Sequence, residues 1–81
     1  MNETYEAVVQ TVDGVFRATT PDPLCIAITE DGVDGIVDFI HLHPNETAAA
    51  TAANLPITLK WWVLENVRGV EVMSAYLNRR G

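Results

Sequence analysis

Asp13-Gly14 stands between two runs rich in β-branched residues, Thr4–Val12 and Val15–Thr20, and no other feature of this 81-residue chain limits its folding as strongly. A two-residue Asp-Gly connection suits a type I′ turn, which needs positive φ at both central positions and matches the twist of paired strands. A hairpin over residues 4–20 is therefore expected. Pairing Val12 with Val15 sets Thr11 opposite Phe16, Gln10 opposite Arg17 and Val9 opposite Ala18. Alternation along a strand then gives one face to Tyr5, Ala7, Val9, Phe16 and Ala18, the expected core side. The other face receives Glu6, Gln10 and Arg17, expected in solvent.

Beyond the hairpin, Pro21-Asp22-Pro23 interrupts the pairing, because proline donates no ladder hydrogen bond. Residues 24–29 (LCIAIT) are apolar on both faces and fit a third, covered strand. Residues 33–43 admit two structures. Val33, Ile36, Val37 and Ile40 have helical spacing, with Asp31 as a cap and Pro44 as a stop, and this favours a helix. Gly32, Gly35 and the β-branched content favour a strand paired back onto residues 24–29 instead. The alanine-rich stretch 48–54 predicts a short helix capped at Asn45 and ended by Asn54 and Pro56. Residues 57–65 (ITLKWWVLE) alternate with a period near two, which predicts a strand with Trp61 and Trp62 on opposite faces. For residues 70–77, strand and helix are evenly matched. The expected fold class is α+β: a small antiparallel sheet, made of the hairpin 4–20 and strands near 24–29 and 57–65, with one to three short helices. One globular domain spans 1–81.

Composition sets the outer limits. With 48% of residues hydrophobic and 20% charged, the chain is globular rather than disordered. A domain this small buries only about 60–65% of its unfolded surface, and association with a second copy would cover apolar area left over. From Met1 to Thr58, nine acidic residues face Arg17 alone, for −8; from Leu59 onward four basic residues face Glu65 and Glu71, for +2. The total of −6 disfavours nucleic acid and suits a basic protein partner. Cys25 is the single cysteine, which fits a reducing compartment. No secretory signal or membrane-spanning run is visible, so the cytoplasm is the expected location.

Three clusters have residue types that can carry chemistry. His41-Leu42-His43 on a strand would turn both imidazoles to one face, where Asp38 and Cys25 could complete a metal site. On a helix the two rings diverge by about 200° and cannot share an ion. The acidic run Glu30, Asp31, Asp34, Asp38 lacks the ligand spacing of a calcium loop. No nucleophile and base fall in a known catalytic spacing, and no cofactor is implied. These residues point to a non-enzymatic protein–protein interaction module (an inhibitor, adaptor or assembly subunit) that contacts its partner through Asp31, Asp34, Asp38 and Trp62. The alternatives are a metal-binding protein using His41 and His43 and a structural homo-oligomer.

Overall fold

The computed structural model describes residues 4–22, 25–41 and 48–80. Five strands and one helix follow in the order β1 (Thr4–Thr11), β2 (Val15–Asp22), β3 (Cys25–Glu30), β4 (Asp38–His41), α1 (Ala48–Asn66) and β5 (Val72–Arg80). The strands make one sheet ordered β4-β3-β2-β1-β5, and every neighbouring pair is antiparallel. The first four strands form a meander. Helix α1 then leads from the β4 edge to β5, which closes the opposite edge by pairing with β1. The fold is α+β with a small antiparallel sheet.

The hairpin forms, with a register two residues from the expected one. Gln10 pairs with Val15, Val9 with Phe16 and Val8 with Arg17. The turn spans Thr11–Gly14, and only Gly32, Gly35 and Gly69 among the described residues have positive φ, so it is not type I′. Thr11 explains the difference. Its Oγ1 accepts from the amides of Gly14 (2.9 Å) and Asp13 (3.2 Å), and its hydroxyl and amide both donate to the Gly14 carbonyl at 2.8 Å. This side-chain turn competes successfully with the Asp-Gly geometry. A shift of two residues keeps each side chain on its face, whereas a shift of one would have reversed them all. Ala7, Val9, Phe16 and Ala18 accordingly lie in the core.

The core sits between that face and α1. Ile26 and Ile28 extend it along β3, and Leu55, Leu59 and Val63 cover it from the helix at positions i, i+4 and i+8. The structure thus overturns the strand expected over 57–65 and the short helix expected to stop at Asn54. One continuous helix of 19 residues contains both segments and runs through Pro56. The expected cap at Asn45 lies outside the described residues.

Residues 33–43 are likewise not the favoured helix. Gly32 (φ 88°) and Gly35 (φ 82°) adopt left-handed backbone that an α-helix excludes, and a turn brings Asp38–His41 back onto β3. The alternative pairing onto residues 24–29 is the one realised. Residues 72–80 resolve to strand. The face away from α1 is less open than expected, since Glu6 is buried there, as are Val8 and Ala27.

Candidate functional site

The β3–β4 connection gathers the acidic residues. Every residue from Asp31 to Phe39 is exposed. Backbone hydrogen bonds shape the turn: the Val33 amide donates to the Glu30 carbonyl (3.1 Å) and the Val37 amide to the Ile28 carbonyl (2.8 Å). Between the acids, Val33, Ile36, Val37 and Phe39 keep large apolar surfaces in water. An apolar patch rimmed by charge is the surface composition that marks interaction sites.

The three aspartates have different circumstances. Asp31 receives a two-pronged contact from Arg17, Nε to Oδ1 at 2.8 Å and Nη2 to Oδ2 at 3.1 Å. The same guanidinium donates through Nη1 to Oε1 of Glu6 at 2.9 Å, so Arg17 ties β1, β2 and the turn together. This pairing raises the Arg17 pKa above its ordinary value and lowers that of Asp31. Asp38 accepts from the Trp62 indole through Oδ2 (2.7 Å) and from the Phe39 amide through Oδ1 (2.8 Å). Both bonds favour the ionised form and hold its carboxyl below the ordinary range, the indole bond having the larger effect. Asp34 makes no hydrogen bond or ion pair among the described residues, leaving its carboxylate available to a partner.

Beside this turn lies a shallow groove of about 400 Å³ between α1 and the edge strand β4, lined by Ile40, Thr58, Trp61, Trp62 and Glu65. Trp62 forms its inner wall. It packs against the core at a tilt of 58° to Phe16, with ring centroids 5.8 Å apart. Trp61 is 60% exposed. Sequence alternation places Trp62 outward, but on a helix its 100° step from Trp61 turns it inward. Trp61 is the aromatic that sequence reasoning missed, and the phase of the buried stripe Leu55, Leu59, Val63 was the signal that could have found it.

The other clusters are placed as follows. Cys25 and His41 are direct register partners across β3 and β4, while His43 lies outside the described residues. Among the described residues, no three His, Cys, Asp or Glu side chains come together as a metal ion would need. No helix among them is long and apolar enough to cross a membrane. Comparisons of the chain with protein-family models, curated proteins and solved structures found no match.

Proposed function

We propose that this chain is a small, acidic, non-enzymatic interaction module that binds a basic protein partner through its β3–β4 connection. The observation that carries this reading is the exposed stretch Asp31–Phe39, where four large apolar side chains alternate with acids. Apolar side chains supply the area that binding removes from water, and the carboxylates steer a cationic partner and reject an anionic one. Asp34 is the foremost contact, because Asp31 and Asp38 already serve Arg17 and Trp62. Inhibitor, adaptor and assembly-subunit roles all use such a surface. The lone thiol of Cys25 suits a reducing compartment, and the module acts in the cytoplasm.

The test is capture from nuclease-treated host lysate at moderate salt, read by mass spectrometry. Wild-type protein is expected to retain one stoichiometric partner, and a variant carrying Asp34→Lys and Ile36→Ser to lose it while keeping its circular dichroism spectrum. Equal capture by both proteins would overturn the assignment to this surface.

A further inference from the structure

Helix α1 carries a second apolar stripe that its own sheet does not cover. Asn54, Ile57, Trp61 and Leu64 are all exposed on the side opposite Leu55, Leu59 and Val63. Their spacing is i, i+3, i+7, i+10, the alternating three-and-four step of a heptad seam, with Asn54 and Trp61 at one core position and Ile57 and Leu64 at the other. Exposed Lys60 and Glu65 flank this seam on its two sides, at the heptad positions that carry interhelical ion pairs.

We infer that the stripe is the interface of a parallel, two-fold dimer, occupied by α1 of a second copy of this chain. The flanking charges select the occupant and its direction. A two-fold axis parallel to the helices brings opposite flanks together, so Lys60 meets the partner's Glu65 and Glu65 meets the partner's Lys60. An antiparallel pair brings like flanks together, placing Lys60 beside the partner's Lys60 and Glu65 beside the partner's Glu65, which is repulsive. Asn54 faces its own copy across the seam, where a polar residue fixes register and favours two strands. The isologous contact also closes on itself and leaves no apolar seam to propagate. The seam from Asn54 to Leu64 is about 15 Å long and one helix wide, small among stable interfaces, so association falls no tighter than the micromolar range. This inference uses none of the apolar and acidic residues of the β3–β4 connection, and its outcome is independent of partner capture there.

Sedimentation equilibrium on the full chain, from about 5 to 500 μM, spans the expected range. Wild-type protein is expected to pass from monomer to dimer. Lys60→Glu and Glu65→Lys each turn two attractive contacts into two repulsive ones and are expected to weaken dimerisation about tenfold. An equimolar mixture of the two variants restores both attractions and is expected to form a heterodimer at wild-type strength. Both positions are exposed, so the variants are expected to keep the fold, with thermal melts of each as the check. A wild-type monomer throughout the range would overturn the proposal. So would a dimer indifferent to both reversals, which would place the contact on a sheet edge or another face.

Discussion

Asp38 holds the short edge strand to the helix through one carboxylate, its two oxygens accepting hydrogen bonds from the Trp62 indole and the Phe39 amide. Because both bonds prefer the ionised form, the folded-state pKa lies below the ordinary 3.8. The stabilisation is complete above that ordinary value and is lost as pH falls through the lower folded value. Asp31, held by Arg17, titrates in the same direction. The melting temperature is therefore expected to fall as pH drops below about 4. Asp38→Asn is expected to melt lower than wild type at neutral pH, with the two curves converging in acid. Parallel curves would remove Asp38 from this role. Arg17 offers a second test at this scale, since the Glu6 side chain it contacts is only 7% exposed. Arg17→Met removes this ion pair from a nearly buried carboxylate and is expected to cost about 1 kcal/mol in urea unfolding. The acids were legible in the sequence as a cluster. Their internal partners were not, because Trp62 lies 24 residues from Asp38 and only the packing of α1 over the sheet brings them together.

Helix α1 shows why its own segment resembles a strand in sequence. Two apolar stripes on opposite sides, Leu55-Leu59-Val63 inward and Ile57-Trp61-Leu64 outward, interleave as an alternation of apolar residues with a period near two. A helix that faces water on one side normally lacks the second stripe, so periodicity alone could not separate the two structures. The hairpin 4–20 was legible because its two faces differ in character, and parity survived even where the turn type did not. The helix proposed for 33–43 failed on Gly32 and Gly35, whose left-handed backbone outweighed the spacing of Val33, Ile36 and Val37. Adjacent tryptophans now make a direct comparison. Trp62→Ala loses the Phe16 contact and the Asp38 bond and is expected to cost about 2–3 kcal/mol in chemical denaturation of the monomer. Trp61→Ala, measured under the same conditions, is expected to stay within about 0.5 kcal/mol of wild type. Pro56, nine residues into the helix, gives a gain instead. It lacks the amide that would bond to the turn before it, so Pro56→Ala is expected to stabilise by about 1–2 kcal/mol after the greater freedom of its unfolded chain is included.

At the scale of the molecule, one layer of helix covers one face of one sheet, and the first and last described strands pair along one edge, Thr4 with Arg80. Helix α1 packs against β1, β2 and β5, and its three buried side chains supply one wall of the core. If the helix leaves, Val9, Phe16 and Ile28 lose their cover together, so no part of the sheet retains a core of its own. Helical circular dichroism and the fluorescence of Trp62 on the helix–sheet seam are therefore expected to report the same unfolding midpoint. The dimer adds a condition that a monomer does not have. A folded state that associates through α1 is stabilised by mass action, whereas the unfolded chain presents no seam. The wild-type melting temperature is accordingly expected to rise with protein concentration across the micromolar range, with both signals moving together. Lys60→Glu, which keeps the monomer core and repels its own copy, is expected to show a flatter rise, displaced to about tenfold higher concentration. A flat wild-type midpoint would mean that the outer stripe of α1 contributes nothing to holding the fold, and that its apolar residues await a different protein.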